Sequence, residues 1–104
     1  MTKEYKVVQV ALPVGYAHYP RPAVVICIVA GTRKVVAVSS KLGLFRSGQH
    51  FLIRDDHPDF PKTGLSDTSY AIGDPIFDVE KSEIIKEMGV LSGDLAKEFA
   101  RWID

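Results

Sequence analysis

Short apolar runs alternate with turn-rich polar stretches along most of this chain, and the runs are too brief and too β-branched for helices until the C-terminus. Lys6–Leu12, KVVQVAL, is bounded by Pro13 and Gly15 and predicts a strand. Pro13–Pro20, PVGYAHYP, predicts a loop, because two prolines and a glycine leave little room for repetitive structure. Ala23–Ala30, AVVICIVA, is a continuous apolar run that predicts a strand buried on both faces. GTRK at 31–34 predicts a tight hairpin connection, with Gly31 free to take a positive φ. Val35–Ser39, VVAVS, is then the antiparallel partner.

The stretch 40–49, SKLGLFRSGQ, is polar and glycine-punctuated and predicts an exposed loop. His50–Arg54 reads as a strand and Asp55–Lys62, DDHPDFPK, as a turn-rich connection. Ser69–Ile72 and Ile76–Val79 read as strands interrupted at GDP. Ser82–Met88, SEIIKEM, fits either a short helix capped by Ser82 and stopped by Gly89, or a turn running into a strand. Near the end the period changes. Leu95, Phe99 and Trp102 recur at i, i+4 and i+7, with Ala96, Ala100 and Ile103 beside them, which predicts an amphipathic helix. Ser92 suits its N-cap, and Asp94 sits where the helix dipole favours an acid. Many short strands followed by one terminal helix predict a mainly β fold: a small curled, barrel-like β-sheet with an α-helix packed on it.

Composition narrows this picture. A chain of 104 residues, 46% hydrophobic, predicts one domain, 1–104, with a single modest core. Formal net charge is +0, so no global basic field draws it to duplex DNA, and any nucleic-acid site is a local patch. Cys27 is the one cysteine, which excludes an intrachain disulfide; inside its apolar run it reads as a small buried hydrophobe. MTKEYKVV lacks the apolar centre of a signal peptide and no run reaches membrane-spanning length, so the expectation is a cytoplasmic protein without a membrane partner. The spacing of His18, His50 and His57 suggests no metal site.

Candidate chemistry gathers around Arg21, between Pro20 and Pro22 at the mouth of the longest apolar run. By itself it is either a solvated charge ending a strand or a guanidinium placed to grip an anion. His18, just upstream, is an imidazole able to work as acid or base near neutral pH, or else a surface histidine. Lys41 and Arg46 flank Phe45 in the 40–49 loop. Cations interleaved with an aromatic suit single-stranded RNA, although loop exposure explains the cations equally well.

RPAVVICIV, VVAVSS and, from Thr63, TGLSDTSYAIGDPIFDVEKSEIIKEMGVLSGDL occur in an order that resembles the PemK/MazF-like toxins of type II toxin–antitoxin systems. The likeness runs from about Lys6 to Trp102. It implies an SH3-like barrel that forms a homodimer and cleaves single-stranded RNA as an mRNA interferase, with no metal or cofactor. It also implies inhibition by a partly disordered antitoxin. In that chemistry the ribose 2′-hydroxyl attacks the adjacent phosphate, leaving a cyclic phosphate and a free 5′-hydroxyl. Residue by residue, the resemblance implies that Arg21 holds the scissile phosphate. Ser39 supplies a hydroxyl at the end of the next strand, with Ser40 beside it, and His18 lies in the loop that carries His or Glu in some relatives. Asp74 matches an acid following the SY strand; it reads first as a strand-end carboxylate satisfied by backbone N–H groups, and otherwise as a contact to RNA at a base edge. Ser40, Lys41, Phe45 and Arg46 complete the expected RNA surface. The chain departs from the family pattern at Ile72, Pro75 and Phe77, where polar partners are expected. Those departures keep a second expectation open: a non-catalytic module of the same fold that binds RNA or a protein without cleaving. A generic SH3-like peptide adaptor ranks last, because no aromatic peptide groove is legible.

Overall fold

The computed structural model describes residues 3–11 and 20–104. The protein is mainly β, with six antiparallel strands in one sheet and one C-terminal helix. The strands are β1 (Tyr5–Ala11), β2 (Pro20–Val29), β3 (Thr32–Ser39), β4 (His50–Ile53), β5 (Ser69–Val79) and β6 (Ile84–Leu91), in the spatial order β4-β5-β3-β2-β1-β6. The helix α1 (Gly93–Ile103) follows directly on β6.

The β2–β3 hairpin forms as expected but turns more tightly than GTRK suggests. Val29 pairs with Thr32, so only Ala30 and Gly31 lie in the turn, with φ of 50° and 82°. Positive φ at both central residues matches the right-handed twist of the flanking strands, and Thr32–Lys34 therefore extend β3. GDP does not break β5 into two strands. It sits in an irregularity instead: Ile72 pairs with Ala37 and Phe77 with Val35, so Gly73–Ile76 face Val36 alone. The ambiguous stretch after Lys81 resolves into a 3₁₀ turn (Lys81–Glu83) and then strand, Ile84 pairing with Val10. So short a helix is marginal, whereas a strand there satisfies the open edge of β1.

Two predictions need correction. The first is the barrel: the sheet is open, with β4 and β6 as its edges and no ladder between them among the described residues. The chain after β4 runs through Pro58 and Pro61, which cannot donate to a ladder, so it closes the gap by backbone contact instead. A 3₁₀ turn at Phe60–Thr63 lies against β6, where Gly64 faces the Met88 carbonyl and Gly89 faces Lys62 and Thr63. A Cβ at either glycine would fall far inside contact distance of backbone atoms.

The second concerns Ala23–Ala30, which is buried on both faces only at Ala23 and Val24. Beyond Val24 the pairing with β1 stops and the hairpin overhangs, leaving Ile28 59% and Val29 52% exposed. Cys27 lies on this overhang and is exposed, not buried.

The main core lies between α1 and one face of the sheet. Leu95, Ala96 and Phe99 pack on Tyr5, Val7, Val24, Val36, Val38 and Ile53, with the Tyr5 and Phe99 rings edge-on at 4.8 Å. The opposite face buries a smaller cluster around Val8, Val10, Val35 and Val79. Ser92 occupies the N-cap position of α1, yet its Oγ is buried without a partner. The capping bond comes from a distance, the Leu95 N–H donating to Asp59 Oδ2 at 3.3 Å. Gly93, at φ 56°, leaves room for that carboxylate. His57 holds the arrangement: its Nδ1 accepts from the Asp59 N–H at 3.0 Å, and its Nε2 meets Glu98 Oε2 at 2.8 Å. DDHPDFPK is thus a turn that clamps the start of the helix.

Candidate functional site

The strongest site begins where β2 and β3 part. Two prolines at i and i+2 remove successive N–H donors from one side of a strand. The β2–β3 register ends at Ala23 opposite Ala37, while the β1–β2 register continues to Ala11 opposite Pro20. The side that Pro20 and Pro22 silence is therefore the one facing β3, and a cleft opens there. Carried two residues further, the same register sets Ser39 across from Arg21.

Arg21, Ser39, Ser40 and Lys41 all line this cleft of about 210 Å³. Its other wall is the segment leading from the 3₁₀ turn into β5: Leu65, Ser66, Asp67 and Ser69, with Met88 of β6. Arg21 and Ser39 are partly buried; Ser40, Lys41 and Asp67 are exposed. The cleft combines two cations, several hydroxyls and one carboxylate around a small apolar floor, a set suited to a phosphodiester flanked by sugars.

Local bonds fix its walls. Ser39 Oγ accepts the Lys41 N–H at 3.1 Å, which leaves the hydroxyl hydrogen free to donate elsewhere. Tyr70, buried and paired with Ser39 in the β3–β5 ladder, donates its phenol O–H to the Lys41 carbonyl at 3.0 Å. Opposite, Thr63 is wholly buried; its Oγ1 donates to the Phe60 carbonyl at 2.7 Å and accepts the Leu65 N–H at 3.1 Å. With Gly64 at φ 76°, that fixes the exit of the TGL segment toward Asp67. Removing the phenol by Tyr70→Phe is expected to cost about 1 kcal/mol of stability in denaturant unfolding, since one partly buried hydrogen bond is lost and the ring packing is kept.

The remaining predicted residues distribute differently. His18 lies outside the described residues. Phe45 does not stand free as a stacking platform: it is partly buried, edge-on to Tyr70 at 5.6 Å and tilted against His50 at 6.0 Å. Arg46 is exposed, and its backbone N–H donates to His50 Nδ1 at 2.9 Å. Asp74 is not in the Arg21 cleft; it lines a separate depression with Gln49, His50, Ile72 and Gly73. Sequence reasoning passed over Asp67 and Ser66 as site residues. Their signal was the TGLSD stretch, whose glycine and buried threonine dictate a turn that faces the Arg-Pro strand.

Elsewhere, the Asp78 carboxylate 2.7 Å from Lys34 holds that exposed ammonium above its ordinary pKa through their hydrogen bond and charge attraction. Among the described residues no group of three His, Cys, Asp or Glu side chains is placed to hold a metal ion, and no helix is long and apolar enough to cross a membrane. No protein-family model matches the chain, and no curated protein matches it.

Proposed function

We propose that this protein is an endoribonuclease that cleaves single-stranded RNA without a metal ion, acting as the toxin of a toxin–antitoxin pair. The observation that carries this reading is the convergence of Arg21, Ser39, Ser40 and Lys41 in one cleft with Asp67 opposite. It supports the resemblance in the ordered motifs, which stands on those residues alone.

In this reading Arg21 grips the non-bridging oxygens of the scissile phosphate and stabilises the charge of the phosphorane. The Ser39 hydroxyl donates to the same oxygens. Asp67, whose carboxylate accepts no side-chain hydrogen bond among the described residues, takes the proton of the 2′-hydroxyl as its oxygen attacks phosphorus. The P–O5′ bond breaks, and His18, three residues before Arg21, is the proposed donor of a proton to the leaving oxygen. The products are a 2′,3′-cyclic phosphate and a 5′-hydroxyl.

A homodimer and a disordered, acidic antitoxin belong to the same proposal. Support for the acidic partner is a groove of about 270 Å³ on the sheet face opposite α1. There Val8, Val25, Ile28 and Ile84 are edged by Arg33, Lys81 and Lys86 and by the Lys6–Glu87 ion pair, a rim with an excess of cations.

The test is incubation of the purified protein with single-stranded RNA in excess EDTA, followed by end-group analysis. Cyclic phosphate ends support the reading. Binding without cleavage moves the assignment to the non-catalytic module, which the position of Asp74 outside the cleft and the apolar side chains of Ile72 and Phe77 favour. Binding itself should depend on salt only shallowly. With Arg21, Lys41 and Arg46 as phosphate contacts, the slope of log K against log salt is expected to be about −2. Arg21→Ala should flatten it by about 0.7.

A further inference from the structure

The depression that holds Asp74 carries chemistry the cleft does not use. Its lining is Gln49, His50, Ile72, Gly73 and Asp74, around about 430 Å³. His50 is oriented on two sides: its ring stacks on Tyr70 at 4.9 Å and 19°, and its Nδ1 accepts the Arg46 N–H at 2.9 Å. Neutral His50 therefore carries its proton on Nε2, as a donor. Gly73 adds bare backbone, backed by the Trp102 ring 3.1 Å from where a Cβ would stand. Asp74 is exposed and makes no side-chain hydrogen bond or ion pair among the described residues, so its carboxylate oxygens are available as acceptors.

The depression and the cleft share one structural element. Tyr70 donates to Lys41 at the cleft and stacks on His50 at the depression. Tyr70 and Asp74 lie four residues apart on β5, at most about 13 Å at full strand spacing, so a single strand a few nucleotides long reaches both.

We infer that this depression is a base-reading subsite selective for guanine, with Asp74 as the discriminating residue and His50 and Gln49 as donors to the base. The inference rests on the RNA reading above. A carboxylate accepts two parallel hydrogen bonds, and guanine is the one RNA base whose Watson–Crick edge presents two adjacent donors, N1–H and the N2 amine. Its O6, next along that edge, accepts a hydrogen bond from His50 Nε2–H or the Gln49 amide. Adenine sets its N1 lone pair against the carboxylate. Cytosine and uracil each offer a single donor flanked by an acceptor.

The experiment measures binding of 2′-O-methyl oligoadenosine octamers, which cannot be cleaved, carrying one central guanosine, inosine or adenosine. Fluorescence anisotropy at one fixed salt concentration gives the three affinities. Wild type is expected to bind the guanosine probe about tenfold more tightly than the adenosine probe, the scale of one bidentate base contact. Inosine, which lacks the N2 amine, should fall between. Asp74→Ala should bring all three together while retaining binding that Arg21→Ala weakens.

Equal affinities in wild type, or a guanosine preference that survives Asp74→Ala, would overturn the subsite even where Arg21-dependent RNA binding is intact. Absence of any RNA binding would overturn the RNA reading and this inference with it. The wild-type comparison of guanosine with inosine decides the matter even if Asp74→Ala proves unstable.

Discussion

Arg21→Ala is expected to lower RNA cleavage by at least about 10³-fold at saturating substrate, with a melting temperature within a few degrees of wild type. The magnitude follows from removing a cation aimed at charge that develops only in the transition state. Single oxyanion donors supply about 10²–10³ in rate, and arginines on transferring phosphoryl groups about 10³–10⁵. The small effect on stability follows from position. Arg21 is partly buried at a strand end where β3 has already parted from β2, and its backbone pairing with Val10 survives the substitution.

Arg21→Lys sharpens the test. A lysine keeps the charge but loses the planar fork, so it should recover binding and its salt slope more fully than the cleavage rate. Asp67→Asn should lower the rate while leaving binding near wild type, because a general base acts after the substrate is seated. Cleavage by Arg21→Ala at the wild-type rate would remove Arg21 from the proposed mechanism.

The second large effect is on folding. Gly64→Ala and Gly89→Ala are each expected to destabilise the protein by about 3 kcal/mol or more, through overpacking against backbone that has nowhere to move. Gly64 adds the strain of a left-handed φ of 76°. A domain of this size loses roughly 4–8 °C of Tm per kcal/mol, so a drop on the order of 12 °C or more is expected for each. Two other glycines serve as controls. Gly48 has a φ of 87° but open space around it, so alanine there should cost only about 1 kcal/mol. Gly43 has neither constraint and should change stability by under about 0.5 kcal/mol. Thermal melts of the four variants separate conformational strain from close approach. If Gly64→Ala and Gly89→Ala melt with Gly43→Ala, the crossing does not hold the two sheet edges together. That crossing also carries the Leu65–Ser69 wall of the cleft, so a variant that loosens it should lose RNA binding before it unfolds globally.

Much of this architecture follows from local patterns. The β-branched runs at Val7–Val10 and Val35–Val38, and the i, i+4, i+7 stripe of Leu95, Phe99 and Trp102, specify strands and a helix through periodicity alone. Short-range physics suffices there, because burial of one face selects the period. Arg21 was legible as the cation at the mouth of the apolar run, whereas Ser39 entered through the resemblance alone. A turn at GTRK does not bring the two together; the observed two-residue turn and the register shift beyond Val25 do.

Other features depend on what lies across space. AVVICIVA reads as buried throughout, yet its second half overhangs the sheet, because β1 ends its pairing at Val24 and no periodicity encodes a neighbour's length. Ser92 has the composition of a cap, but Asp59, far away in the chain, makes the bond. A barrel follows naturally from many short strands. An open sheet results because the segment after β4 is too proline-rich to form a ladder with β6 and meets it through two glycines instead. Asp67 joined the site, and Asp74 left it for a depression of its own, by the same kind of decision. The sequence by itself determined the strands, the helix and the cation at the strand end, since each rests on a local period or a short loop. Only the tertiary structure decided which carboxylate shares a cleft with that cation, because the register across β3 and β5 and the crossing at Gly64 and Gly89 are set by packing between distant segments.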